Sequence, residues 1–443
     1  MYDVIVVGAG YSGLTAAKKL VDHNKKVLVL EARDRVGGRV FTEIRADGSY
    51  LDLGGAWVGP SQDKFYELIK KYSLRTFPTY DSGKSRIWID KKLKSYKGLI
   101  PPLPIGPLLD LDFTIKKINR LSKKINLLSP WENKNAQKWD EMTLATWINQ
   151  NMYFKTSKEL FKIACETIWA AEPCEISFLH ALFYIKSGGD LDRLMNIKNG
   201  AQQDRVYGGA MKPALQLAHE IQDHIFFNHT VKIIKQEKEK IKILGDNFEF
   251  EAYKVIVAIP PIVQQKLTFS PQLSAKRTQL LQRLPMGIVT KTFAIYEKPF
   301  WRENGLNGLA VTNNGYTSVV FDNSPEDGSI GILMGFVLAN KAKEFSTLNF
   351  EERKSSILLS FSTLFGEKAK TPLEYLDHSW ALEEFSGGCY AAVFPSGVWT
   401  SLGEELRKPY FNIHWAGTET SEIWNGYIEG AIRAGERAAL EVL

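Results

Sequence analysis

A chain of 443 residues exceeds what one ordinary hydrophobic core holds, so two domains are expected. With 44% apolar and 24% charged residues it fits a soluble globular protein, and its excess of 56 basic over 50 acidic residues is mild for this length. No basic patch interleaved with aromatics points to nucleic acid, and three cysteines (Cys165, Cys174 and Cys389) cannot all pair, which argues against a disulfide framework and for a reducing compartment.

The chain opens on YDVIVVGAG, which reads as a buried parallel strand ending in glycine and not as a secretory signal. Helical spacing follows at Leu14, Ala17, Lys18 and Val21, and KKVLVLEA at 25–32 is a second strand. Together these form a βαβ unit with a right-handed crossover. From about 77 to 206 the pattern changes to long amphipathic, helix-like stretches: LDFTIKKINRLSKKINLL, SKELFKIACETIWAA and SFLHALFYIKS. Here the apolar GLIPPLPIGPLL at 98–109 precedes the Lys-rich KKINRLSKKI at 116–125. We read them as a Pro-rich loop and a solvated helix face, in preference to a contact with an anionic surface. A second βα-type return at 205–221 leads to strands near FFNHTVKII and KIKILGDNFEFEA, then to KVIVAIPP at 254–261, a buried strand stopped by two prolines. Residues 281–383 are strand-rich, and their longest apolar run, IGILMGFVLA at 330–339, is too short to span a bilayer. The chain closes on a strand, FNIHWAG, and a helix from about Tyr427 to Leu443 with no hydrophobic tail, so a cytoplasmic protein is expected.

Gly8-Ala9-Gly10-Tyr11-Ser12-Gly13 fits G-x-G-x-x-G, and it lies between a strand and a helix, with Glu31 ending the next strand 18 residues past Gly13. That context makes it a dinucleotide-binding fingerprint rather than a Gly-rich turn without a ligand. Gly8 allows the tight turn, Gly10 lets the backbone approach a pyrophosphate, and Gly13 lets helix and strand pack closely. The helix N-terminus offers free N–H groups to phosphate. Glu31 can accept the two ribose hydroxyls and repels a 2′-phosphate. ARDRVGGRV at 32–40 adds a second Gly pair and Arg39, a charge-assisted donor for phosphate. LDLGGAWVGP at 51–60 adds Gly54, Gly55 and Trp57, and WAGTET at 415–420 with WNGYIEGA at 424–431 supplies Gly417 and a helix start near Tyr427. Glycine-lined contacts from both ends of the chain suit a long, wrapped cofactor.

The order of EARDRVGGRV, DLGGAWVGP, SGGCY and GTET…WNGYIEGA closely resembles the flavin-containing monoamine oxidases, from about residue 2 to residue 443. The resemblance implies an α/β fold: a Rossmann-like FAD-binding domain at 1–76, 207–280 and 384–443, and a substrate domain of mixed sheet and helices at 77–206 and 281–383. It places Gly8, Gly10, Ser12, Gly13, Glu31, Ala32, Arg33, Gly38, Arg39, Gly54, Gly55, Ala56, Trp57, Val231, Trp380, Cys389, Tyr390, Gly417, Thr418, Glu419, Gly426, Tyr427 and Ile428 against FAD.

For Cys389, residues alone allow a buried hydrophobe or a reactive thiol beside a ligand. The resemblance implies a thioether to the flavin ring. It also puts Tyr390 and Tyr427 on either side of an amine in front of the flavin, where aromatic faces attract amino groups. Lys291 stands on one face of IVTKTFAIY with Val289, Phe293 and Ile295, so it is either snorkelling or buried for a purpose. The resemblance implies that it holds a water against the flavin, and burial is expected to lower its pKa. Trp380 falls beside the flavin, and Thr167, Ile168, Met195 and Gln202 fall on substrate-cavity positions. The seven histidines show no paired ligand spacing, and G-x-S-x-G, H-E-x-x-H and C-x-x-C are absent, so neither a metal nor a hydrolytic mechanism is expected.

The expected activity is FAD-dependent oxidation of a primary amine to an aldehyde by way of an imine, with ammonia and hydrogen peroxide released. Its partners are an amine and oxygen, without nucleic acid or an integral membrane anchor, and a homodimer is possible. The alternatives are a diamine or polyamine oxidase, an L-amino-acid oxidase, and a flavin-binding interaction protein without catalysis. The first needs acidic residues at the far end of the cavity, and the second an arginine fork for a carboxylate.

Overall fold

The structure is a computed structural model that describes residues 1–98 and 100–443; Leu99, within the apolar stretch 98–109, lies outside the described residues. The first strand, β1 (Tyr2–Val7), is buried from Val4 to Val7 because it runs mid-sheet. It pairs in parallel with β2 (Val27–Leu30) on one side and with Glu249–Val257 on the other. Four more strands follow outward from these, and Ile413–Trp415 adds in parallel to Glu249–Val257, giving an eight-stranded sheet. All its strands come from 2–30, 225–270 and 413–415.

Between β1 and β2 lies helix α1 (Tyr11–Asp22). The turn into it is dictated by glycine. Gly8 sits at φ +100°, and a Cβ on Gly13 would fall 1.9 Å from the Gly8 carbonyl oxygen. The chain's last helix, α4 (Ile428–Val442), packs on α1 as closely, since a Cβ on Gly435 would lie 2.2 Å from the Ser12 carbonyl. The first and last helices thus meet beside the first strand's exit, with Tyr427 as the residue preceding α4.

A second sheet of seven strands is built around β3 (Val289–Tyr296). β3 pairs antiparallel with Gly331–Leu338 over its whole length and with Glu374–Ser379 from Thr290 to Ile295. Its period of two sorts side chains as expected: Val289, Phe293 and Ile295 join a core with Trp380 and Cys389, whereas Ala294 and Tyr296 enter a separate core behind the sheet. The far edge of this sheet is the hairpin Lys84–Ile89 and Lys92–Tyr96. The region 77–206 is therefore not helical throughout. The alternation in KSRIWI is a strand signal that the long amphipathic stretches around it obscure. Those stretches form α2 (Ile105–Ser122), α3 (Lys155–Trp169) and Phe178–Ser187. α2 stops before Lys123, so only part of KKINRLSKKI is helical. α3 ends in a sharp turn at Ala170, whose φ is +51°.

The backbone overlap at Gly13 predicts that Gly13→Val cannot keep the β1–α1 turn. The purified variant is expected to lose the flavin that the sequence resemblance implies, read from its visible absorbance. Flavin content equal to that of the parent would show that this turn does not shape the cofactor site.

Candidate active site

One cavity of about 1010 Å³ lies where the two sheets approach, at the upper end of the range for small-molecule sites. Its wall comes from both ends of the chain. Of the residues singled out in the sequence, all but two line it. Gly13 lies behind the turn, and Glu419 lies behind Arg39.

At one end the wall is backbone and polar. Gly8, Gly10 and Ser12 open α1, whose first turn carries no acidic residue and no side-chain cap. Its free N–H groups therefore remain available to an anion. Opposite Gly10 sits Gly38, where a Cβ would come within 3.3 Å of the Gly10 Cα. Glu31 is buried and fixed by N–H donors from Ala9 (2.7 Å) and Arg33 (3.0 Å), which turn its carboxylate toward the space. Ala32 and Val231 complete this end, while Arg33 donates to Glu383 and Ser386. Ser12 Oγ accepts from Gly417 N at 2.9 Å, locking the Gly417–Thr418 turn to α1.

Arg39 departs from the expectation of a free phosphate donor. Its terminal nitrogens grip Glu419 in a two-pronged pair (2.5 and 3.0 Å) and also donate to the Tyr390 carbonyl (2.9 Å). Burial opposes ionisation of Glu419, but the Arg39 guanidinium holds its carboxyl below the usual range.

The centre of the cavity holds Cys389, Tyr390, Lys291, Trp57, Trp380, Gly426 and Tyr427. Lys291 is buried, and its Nζ donates to the backbone oxygens of Asp52 (3.0 Å) and Gly54 (2.7 Å). The Gly54–Gly55 turn thus receives the lysine rather than only approaching a ligand. The rings of Phe336 and Trp57 lie 5.2 and 5.5 Å from the same nitrogen. Burial pulls the Lys291 ammonium down to about 8, against the opposing pull of Asp52 and Cys389. Two of its donors are used, so a neutral Lys291 keeps a lone pair and an ammonium keeps one N–H. Burial pushes the Cys389 thiol up to about 12, with Arg39 and Lys291 acting in the other direction. It raises the Tyr390 and Tyr427 phenols as well, so both stay neutral at ordinary pH. Trp380 is fixed by Nε1–H donation to Leu53 O at 2.8 Å.

The other end is apolar. α3 presents Leu160, Ala164, Thr167 and Ile168, spaced as one helix face, and Ile87, Leu111, Ile115, Met195, Ile197, Phe321 and Phe336 close around them. Ile428 borders the centre from the start of α4, and Ala56 from the Gly54–Trp57 turn. Gln202 donates to Leu194 O at 3.1 Å, and its buried Oε1 has no protein partner. Among the described residues, the only carboxylate lining this end is exposed Asp81, near Ser85 and Ile87. No group of three metal-ligating side chains occurs among the described residues.

Several lining residues escaped the sequence reading. Tyr184 lies 6.1 Å from Tyr427, ring to ring, and a Cβ on Gly426 would press on its hydroxyl at 2.8 Å. Nothing local distinguishes Tyr184 from the other apolar residues of its helix. The α3 stripe was readable as a helix face, but not which partner it faces.

A family model for flavin-containing amine oxidoreductases matches residues 11–443. The chain belongs to that family. It is 37% identical to amine oxidase [flavin-containing] A of Equus caballus, over 100% of this chain and 85% of that protein. AofH of Mycobacterium tuberculosis, which carries the name of a flavin-containing monoamine oxidase, is 39% identical over 99% of this chain and 96% of its own length. Among solved structures, putrescine oxidase superposes with a TM-score of 0.96 at 31% identity, covering 100% of this chain and 98% of that one. Cyclohexylamine oxidase from Brevibacterium oxydans IH-35A gives 0.95 at 29% identity with the same coverage. The protein is thus a flavin-dependent amine oxidase, and the site's backbone cradle, fixed acid and apolar chamber fit a flavin and an amine.

The lowered Lys291 pKa carries a sign. The side chain is mostly ammonium below about pH 8 and neutral above it. The rate at which oxygen reoxidises the reduced enzyme is expected to change across that pH. Lys291→Met should flatten the profile and slow the step by about 10²-fold or more. A Met variant with the parent's inflection would assign that ionisation elsewhere.

Proposed function

We propose that this enzyme is an FAD-dependent monoamine oxidase acting on apolar primary amines, with the flavin joined to Cys389. The observation that carries the reading is the apolar chamber between α3 and the second sheet, opening onto Tyr390, Tyr427 and Lys291. The balanced reaction takes R–CH2–NH2, water and oxygen to R–CHO, ammonia and hydrogen peroxide. FAD, once bound, accepts two electrons with a proton from the amine carbon and passes them to oxygen.

The protein's own part is binding, orientation and dryness. Gly8, Gly10, Ser12 and Gly417 offer backbone to the pyrophosphate, and Glu31 takes the ribose. Arg39 and Glu419 hold the segment carrying Cys389 and Tyr390. Cys389 must ionise to form a thioether, in which its sulfur would replace one hydrogen of a flavin methyl group while the two electrons released would pass through the flavin to oxygen; Arg39 and Lys291 are the cations that favour its thiolate. Tyr390 and Tyr427, both neutral, present ring faces to an amino group. An apolar chamber solvates an ammonium poorly, so it selects the amine in its neutral form. The same property disfavours a diamine, whose second ammonium would find, among the described residues of the chamber, only the carboxylate of exposed Asp81. Gln202, with its unpartnered Oε1, is an acceptor for an amine N–H or a water.

Two further expectations rest on this reading. The eight-stranded sheet belongs to a cofactor domain at 1–76, 207–280 and 384–443, and the seven-stranded sheet to a substrate domain at 77–206 and 281–383, which agrees with the origin of all their strands. A cytoplasmic location is supported by Cys165, Cys174 and Cys389 forming no disulfide with one another.

One preparation tests the reading. Peroxide release is expected with benzylamine or tyramine, weaker or none with putrescine, and none with an amino acid panel. Acid-precipitated protein should stay yellow, and Cys389→Ala should release its flavin on precipitation. Faster turnover of putrescine would overturn the monoamine reading, and a colourless pellet from the parent would overturn the covalent link.

A further inference from the structure

The outer end of the chamber is not carbon throughout. The hairpin at the edge of the second sheet sets Ser85 opposite Tyr96. The strand Leu306–Thr312 runs parallel to Lys84–Ile89, and its ladder shifts register between Leu306 and Ala310. Asn307 lies in that break, where a strand can re-aim a side chain. Asn307, Ser85 and Tyr96 are only 2%, 3% and 8% exposed, so three polar side chains are buried beside a wall that is otherwise apolar. The Tyr96 ring packs with Ile87, Leu160 and Val311, which belong to that wall. Asp81, Ser85 and Tyr96 all line the cavity. Polar groups buried among carbon are costly unless they are hydrogen-bonded, and here each bond can be followed.

Asn307 orders the group. Its Nδ2 donates to Asp81 Oδ1 at 3.2 Å and to Ser85 Oγ at 3.0 Å, while its Oδ1 accepts from Leu309 N at 3.0 Å. Ser85 Oγ, being an acceptor there, has its own proton to give, and the phenol oxygen of Tyr96 across the ladder receives it. Burial pushes the Tyr96 phenol up to about 12, with the bond from Ser85 acting the other way, so the ring stays neutral at ordinary pH. Tyr96 therefore keeps its O–H as a donor, and Asp81 keeps Oδ2 as an acceptor. One donor and one acceptor, tied together through Ser85 and Asn307, match a hydroxyl, which gives one hydrogen bond and accepts another. An ammonium matches them less well. It has only donors, so the Tyr96 O–H would face it unpaired. The cavity wall also carries exposed Lys198, next in the chain to Ile197, which repels a second cation.

We propose that Asp81, Ser85 and Tyr96 form a subsite for a neutral hydroxyl at the far end of the substrate, so that the enzyme prefers primary amines whose apolar body ends in an alcohol. The inference rests on the amine-oxidase reading of the cavity: the amino group lies at Tyr390 and Tyr427, the carbon chain runs along α3, and the hydroxyl meets the hairpin. A site built to hydrogen-bond a hydroxyl discriminates more sharply than an apolar wall, because an analogue without that group leaves the buried donor and its partner unpaired.

Peroxide release from two substrate series tests it: linear n-alkylamines, and the ω-amino alcohols of matching chain length. Short amino alcohols, whose hydroxyl stops among carbon, should be poorer substrates than their alkylamines. At the length that reaches the hairpin the order should reverse, with kcat/KM about tenfold higher for the amino alcohol. Tyr96→Phe, which keeps the ring and its packing, and Asp81→Ala should each return that ratio to about one or below. Taking the ratio within each variant cancels any general loss of activity or of folded protein. The proposal is overturned if alkylamines are oxidised but the amino alcohol is poorer at every length, or if both variants keep the parent's ratio. It is also overturned if the α,ω-diamine of the reversing length outpaces the amino alcohol, which would make Asp81 a partner for an ammonium. Oxidation of neither series would sink the amine-oxidase reading itself, and the subsite with it.

Discussion

The buried pair Arg39–Glu419 is the constraint on which the rest of the site depends. It joins positions 380 residues apart, and its two N–H···O contacts of 2.5 and 3.0 Å fix both planar groups. A third bond from Arg39 to the Tyr390 carbonyl and a fourth from Ala392 N to Glu419 bring the Cys389–Tyr390 segment into the same knot. Moving two charges out of water costs several kcal/mol each, and only close geometry with further hydrogen bonds offsets that cost. Both conditions hold here. The DLGG turn is pressed onto the knot as well, because a Cβ on Gly54 would lie 2.2 Å from the Arg39 carbonyl. Gly54 in turn receives Lys291. Cysteine, tyrosine and lysine are thus set relative to one another by one ion pair and the turns that lean on it.

Around that knot the cavity divides by chemistry. One end offers backbone N–H groups and a fixed carboxylate, suited to a charged and hydrogen-bonding ligand. The other offers carbon, suited to an uncharged one. Lys291 stands between them, its pKa drawn down to about 8 by burial while Asp52 pulls the other way. The dryness that depresses this lysine also raises the neighbouring phenols and thiol, so a single property of the chamber sets the protonation of every group facing the amine.

Much of this was legible in the sequence, for identifiable reasons. The turn at Gly8–Gly13 and the acid at Glu31 are local features whose spacing alone implies a phosphate site. The period of two in VTKTFAI correctly put Lys291 on the face of Val289, Phe293 and Ile295, now seen to be the face toward Trp380 and Cys389. What was not legible required knowing which distant segment comes alongside. Arg39 was read as a phosphate donor because its neighbours are phosphate-binding in character, and Glu419 offered no local sign of being its partner. Tyr184 looked like any aromatic in an apolar helix until Gly426 was found against its hydroxyl. The hairpin Lys84–Tyr96 hid between amphipathic helices. The apolar half of α2 was read as loop because its prolines dominate the local pattern.

The most direct test of this account is a double-mutant cycle on Arg39 and Glu419, read through retained flavin and thermal midpoint. Each single change, Arg39→Met or Glu419→Leu, strands a buried charge and should cost about 3–5 kcal/mol, with loss of flavin. The double variant removes both charges and should be no worse than the poorer single, giving a large coupling energy. Strictly additive losses, or single variants that keep their flavin and their midpoint, would contradict the claim that this pair holds the site together.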